Sequence, residues 1–236
     1  MGEMINIETA DGGGKFAAYC AHPAGDAKAA IIVLQEIFGV NAGIRRKCER
    51  WATLGYLALA PDLFWRLEPG LDLDPDLPEN FHEALDYMAK FGADGGADRA
   101  IGDIEACIAV ARERTGGGKV GAVGFCLGGR LAYMLACRTN IDAAVGYYGV
   151  MIDQLLHEAK NICKPLLLHI PTADHLVGAE AQAKLHTVLD SHPHATLCDY
   201  HGLDHGFATE TGARRNQDGA LLADGRTEAF FARTLG

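Results

Sequence analysis

Residues Gly124-Phe125-Cys126-Leu127-Gly128 put a thiol where a short strand, "KVGAVGF", runs straight into a helix. A turn that sharp forces its central residue into a strained backbone conformation. It also holds that side chain up at the carboxyl edge of the sheet, so the residues around it must be small. Gly124, Gly128 and Gly129 meet that need around Cys126. The pattern is a nucleophile elbow with sulfur in place of oxygen. The helix N-terminus offers unpaired N–H groups and positive potential, which suit an anionic sulfur and a developing oxyanion, the Leu127 N–H first among the donors. A buried cysteine whose glycines serve only packing is the competing account of the same five residues.

A thiol at an elbow needs a base, and the base needs something to orient it. Asp174 follows the apolar run "PLLLHIPTA", and His205 lies in the loop "GLDHGF" after "ATLCDY". The order Cys126, Asp174, His205 is that of an elbow-type triad, and all three fall after strands, where sites in open sheets lie. His205 would take the thiol proton and return it to a leaving group, while Asp174 would hold the imidazole and stabilise its charged form. His175 and His201 are rival bases close by. His205 is preferred because it lies deeper in its loop, with Gly206 beside it. For Asp174 the alternative is a simple turn cap.

The elements that must position these groups follow a strand–helix rhythm. "MINIET" and "KFAAYCAH" alternate apolar and polar residues and read as an antiparallel pair turned by "DGGG". "AAIIVLQ" is apolar throughout, as expected of a strand buried on both faces. Asn41 can cap the helix after it, which Gly55 would end. "YLALA" is the next strand. Residues 61–80, rich in Pro and Asp, read as a loop long enough to form a site wall or lid. Helices are expected at about 79–91 and 98–114, then strand, helix and strand through the elbow, a short helix near 152–160, a helix near 179–190 and a final C-terminal helix. Buried strands alternating with amphipathic helices imply an α/β fold with a mostly parallel central sheet and helices on both faces. No repeat or linker interrupts it, so one domain over residues 1–236 is expected.

Composition narrows the function. A net charge of −10 argues against a nucleic-acid or anionic-membrane surface. There is no basic stretch followed by an apolar run at the N-terminus, and no apolar run is long enough to span a bilayer. The seven cysteines are scattered, odd in number and contain no C-x-x-C, which points to reduced thiols in a cytoplasmic protein.

With those residues in view, the chain resembles the dienelactone hydrolases, cysteine enzymes of the α/β-hydrolase fold also called carboxymethylenebutenolidases. The likeness covers most of the chain: "QEIFGVN", "PDLF", "KVGAVGFCLGGRLA", "ADHLV" and "LDHGFA" occur in the family's order. The resemblance implies that Glu36 hydrogen-bonds the resting thiol and accepts its proton when substrate enters. It also implies that the Ile37 N–H is the second oxyanion donor. The plain alternative for Glu36 is a strand end facing solvent. Two departures concern the substrate. Members that open dienelactone hold its carboxylate with arginines, but the position four after His205 is Thr209, and "FHEALDYMAKF" has no arginine. A bidentate clamp needs a guanidinium, and Arg66, Arg99, Arg214 and Arg215 are the replacements available. Phe38, Phe64, Trp65 and Tyr148 are candidates to line an apolar pocket, each with core packing as the alternative.

Three rivals stand beside this reading. Glutamine amidotransferases also use a cysteine elbow, but they place a carboxylate two residues after the histidine, where this chain has Phe207. His192 and His194, with His201 and His205 four apart, suggest a metal site, yet Gly202 and the strand exit break any helix that would bring a spaced pair onto one face, and no cysteine pair joins them. A redox-sensing thiol on the same scaffold would need no acid–histidine pair. The expectation is therefore a hydrolase that opens a small lactone or ester through a thioester acyl-enzyme. It would need no metal or organic cofactor, would bind neither nucleic acid nor membrane, and would be a monomer or small homo-oligomer.

Overall fold

A computed structural model describes residues 2–27, 29–93, 95–210 and 212–236. The chain forms two compact units, residues 1–120 and 121–236.

In the first unit, β1 (Glu3–Glu8) and β2 (Lys15–Ala21) pair antiparallel from Glu3↔Cys20 to Glu8↔Lys15, as their alternation predicts. β3 (Ala29–Leu34) is buried along its whole length, and so is β4 (Leu57–Pro61). The strand order is β1-β2-β4-β3, with β3 and β4 parallel. Helix α1 (Ala42–Thr53) begins where Asn41 Oδ1 accepts the Ile44 amide at 3.1 Å, and stops at Leu54, with Gly55 beyond it at φ 91°. This is the capping pair that the sequence announces. α2 (Pro78–Ala93) opens on a proline, whose missing N–H costs nothing in a first turn, and α3 (Gly96–Arg114) follows.

The stretch read as a loop, 61–80, is anchored along its length. Gly39 bridges Asp72, and Leu73 N donates to Phe38 O at 3.0 Å. A Cβ on Gly39 would fall 1.8 Å from Leu71 O, so only glycine permits that approach. Asp62 completes the turn by accepting the amides of Phe64 (3.0 Å) and Gly70 (2.7 Å).

The second unit is wholly parallel. β5 (Lys119–Phe125), β6 (Ala143–Tyr147), β7 (Leu166–Pro171) and β8 (Ala195–Tyr200) pair in that order. β6 and β7 are buried throughout, whereas β8 is half exposed, as its polar Thr196 and Asp199 require. α4 (Leu127–Arg138) packs on β6, α5 (Ala179–Leu189) on β8, and α6 (Gln217–Leu235) on β6 and β7. A 3-10 helix, Ile152–Asn161, lies against α4 and α5. Among the described residues no helix is long and apolar enough to cross a membrane.

Candidate active site

Parallel strands deliver their carboxyl ends to one edge, and in the second unit those ends carry the expected chemistry. Cys126 joins β5 to α4 with φ 54° and ψ −111°, a conformation that residues with a Cβ rarely adopt. The close packing behind it explains the glycines. A Cβ on Gly124 would lie 1.9 Å from Gly128 O, and one on Gly129 would lie 2.7 Å from Tyr147 O. The Cys126 amide donates to Tyr147 O at 3.0 Å, and its carbonyl accepts from Arg130 N at 3.1 Å. Cys126 is buried, with 7% of its surface exposed. Leu127 is the first residue of α4, so its amide belongs to the turn that has no partner inside the helix.

Asp174 follows β7, and His205 follows β8. Their side chains meet: His205 Nδ1 lies 2.9 Å from Asp174 Oδ2 and 3.1 Å from Oδ1. Asp174 Oδ1 also accepts the Leu176 amide at 2.8 Å and the Val177 amide at 3.1 Å, so the carboxylate is held in place as well as holding. Both residues are buried. Burial alone would push the imidazole below its ordinary range. The hydrogen bond to Asp174 and the nearby Cys126 sulfur outweigh it and raise His205 to about 10. Tyr148, at φ 39°, sets its ring edge-on to His205 with centroids 4.9 Å apart, and Phe207 packs against the other rings of this cluster.

Of the remaining expected residues, Glu36, Ile37, Phe38, Phe64 and Trp65 lie in the first unit. Glu36 is buried just beyond β3, with Ile37 and Phe38 beside it. Phe64 is fully buried and packs its ring on Tyr87 and Phe91 of α2. Trp65 stacks on Phe16 at 6.1 Å and donates Nε1 to Asp103 at 3.0 Å. Of the four arginines weighed, Arg66 is held bidentate by the buried Asp103 and lies over Trp65. Arg99 sits on α3. Arg215 donates to Thr209 O. Arg214 packs its guanidinium against Gly206, where a Cβ would come within 2.8 Å of Nη1.

The rival histidines have other employment. His201 is exposed at the end of β8, and His192 and His194 pair with each other at 6.0 Å between ring centroids. His175 hydrogen-bonds Asp204 at 2.8 Å. Asp204 is mostly exposed. Its slight burial is outweighed by bonds from the His175 ring, the His175 amide and the His205 amide, which lower it to about 2. Asp174, His175 and Asp204 have ligand atoms within 4.8 Å of one another. The triad order does not single out Asp204, but the repeated Asp-His dipeptide at 174–175 and 204–205 marks it.

A buried polar chain below these loops was also not foreseen. Tyr147 donates to Asp224 at 3.1 Å and meets Thr227 Oγ1 at 2.6 Å. Thr227 meets His169 Nε2 at 2.9 Å, and His169 Nδ1 meets Tyr200 Oη at 2.7 Å. Burial holds His169 down at about 3, so it is neutral, with one donor and one acceptor nitrogen. Because the Tyr147 proton goes to the carboxylate, each link follows: Thr227 donates to Tyr147, His169 Nε2–H donates to Thr227, and Tyr200 donates to Nδ1. The chain ties α6 to the ends of β6, β7 and β8.

Known proteins resemble this chain along nearly its whole length. The family model "Dienelactone hydrolase family" matches residues 16–235, across both units. A protein of Azospirillum brasilense named as a carboxymethylenebutenolidase is 43% identical over 234 residues, 98% of this chain and 99% of its own. The carboxymethylenebutenolidase of Pseudomonas putida is 35% identical over 98% of this chain and 96% of its own. A crystal structure from Klebsiella pneumoniae, described as a dienelactone hydrolase, aligns with a TM-score of 0.83 at 26% identity, covering 98% of each chain.

Proposed function

The chain belongs to the dienelactone hydrolase family, with the α/β-hydrolase fold and an activity on carboxylic ester bonds, and from that premise we propose that it opens a small lactone or ester by cysteine catalysis. The supporting observation is the buried His205–Asp174 pair, its imidazole raised to about 10 by the carboxylate and by a thiol set on a strained elbow. In this reading the Cys126 proton already rests on His205, whose imidazole is raised to about 10, and the sulfur attacks the carbonyl carbon. The Leu127 amide stabilises the oxyanion. The tetrahedral adduct collapses, the C–O bond breaks, and His205 protonates the departing oxygen, which in a lactone stays tethered to the acyl group. Water, deprotonated by His205, then attacks the thioester and frees the acid and the sulfur. Asp174 orients the ring throughout.

For Ile37 the role implied by the family resemblance, second oxyanion donor, stands as a proposal of its own, and Glu36 is proposed to tune the sulfur rather than to take its proton, which His205 holds. Glu36→Gln should slow reaction without preventing thiol alkylation. The proposed setting is a single functional domain acting on a small molecule, without a cofactor.

The experiment is acyl-enzyme trapping. Aryl esters and simple lactones are mixed with the protein and quenched in acid, and the adduct is mapped by mass spectrometry. An adduct on Cys126, and loss of turnover in Cys126→Ala, are expected. Full turnover in Cys126→Ala would refute the mechanism. His205→Ala should cost far more rate than His201→Ala, and the reverse ranking would show that the wrong base was chosen.

A further inference from the structure

We propose that Asp204 is a positioning residue for catalysis, a single carboxylate oxygen that locks the acid loop to the histidine loop. The inference rests on the reading of Asp174 and His205 as acid and base. Two Asp-His dipeptides exchange partners across the loops: Asp174 holds His205, and Asp204 holds His175. The first pair is buried and the second is exposed.

Asp204 Oδ1 is the hub. It accepts the His175 amide at 2.9 Å, the His175 Nδ1–H at 2.8 Å and the His205 amide at 2.6 Å. One atom thus ties the backbone of the residue after the acid to the backbone of the histidine itself. The need for it follows from the topology. Regular β7–β8 pairing ends at Pro171↔Tyr200, short of both catalytic residues. Beyond that point the two loops are zipped by irregular bonds: Thr172 N to Tyr200 O, Ala173 N to Leu203 O, and Gly202 N to Thr172 Oγ1, each 3.0 Å. Asp204 supplies the last link before His205. Without it the imidazole can drift from Asp174 and from the thiol, and a drift of about 1 Å at a reacting group costs on the order of 100-fold in rate.

The oxygen's position carries this role, so three substitutions separate position from charge. Asp204→Asn keeps an acceptor at Oδ1 and loses the charge. Asp204→Glu keeps the charge and moves the oxygen by one methylene. Asp204→Ala loses both. The expected result is a fall in kcat of roughly 10- to 100-fold for Ala and Glu, recovery to within about threefold of wild type for Asn, and KM changed by less than about twofold throughout. The urea midpoint, read in parallel, reports the stability lost with the three bonds, and kcat is compared at a temperature and denaturant concentration where every variant is folded. If Ala fails to fold, the ranking of Asn against Glu still decides. Glu equal to or better than Asn, Asn no better than Ala, or wild-type kcat in Ala or Glu would each overturn the proposal. His205→Ala and Asp174→Ala run beside them: activity surviving in those would defeat the underlying reading instead.

Discussion

Replacing Cys126 by glycine should leave the protein more stable than replacing it by alanine, the reverse of the usual order. Both variants lose the same buried sulfur, so the difference isolates the backbone. At φ 54° and ψ −111° the elbow holds a Cβ in a region that only glycine occupies freely. Alanine keeps that strain, about 1–3 kcal/mol for a residue in a sparsely populated conformation. Glycine releases it but brings a more flexible unfolded chain, a cost of about 0.5–1 kcal/mol. The balance runs from about zero to about 2.5 kcal/mol in favour of glycine, or up to about 10 °C in Tm for a chain of this size. Thermal and urea unfolding of the two variants, in the same buffer without substrate, measure it. Alanine more stable than glycine would mean that the elbow stores no strain, and that the small residues around it have another cause.

Alkaline pH should test the buried pair. His205 is raised from 6.5 to about 10, so its contribution to stability is complete below pH 6.5 and is lost as pH climbs through 10. The urea midpoint of the wild type should therefore drop more between pH 7 and 10 than that of His205→Gln, and parallel curves would contradict the shift. Thr227→Val removes the middle hydroxyl of the buried chain and leaves the His169 Nε2–H without its acceptor. A loss of about 1–3 kcal/mol in unfolding free energy is expected, and no loss would mean that the chain is not a stabilising network. Arg214 packs on Gly206 beside His205, and a role for it in holding a substrate carboxylate is open to test. Arg214→Ala should raise KM for lactones bearing a carboxylate and leave neutral esters unchanged, and equal effects on both classes would remove that role.

The sequence by itself determined the periodic elements and the elbow. β3 and β4 are apolar runs that water excludes from any other place, Asn41 and Gly55 bracket α1 through local hydrogen bonding and φ alone, and Gly124 is where a Cβ would strike the Gly128 backbone four residues on. Those are interactions between near neighbours or with solvent, and residue type encodes them directly. The order Cys126, Asp174, His205 was legible for a similar reason, since strand ends follow from strand pattern. What only the tertiary structure decided is which groups meet across loops distant in the chain. Asp204 reaching His175 from beside His205, and Tyr200, His169, Thr227 and Tyr147 donating hydrogen bonds in one direction toward Asp224, are pairings over about 30 to 80 residues. An aspartate or a tyrosine reads alike in a strip of sequence whether it faces solvent or a partner. Its hydrogen bonds are set by the packed geometry of β6, β7, β8 and α6, which no local pattern specifies.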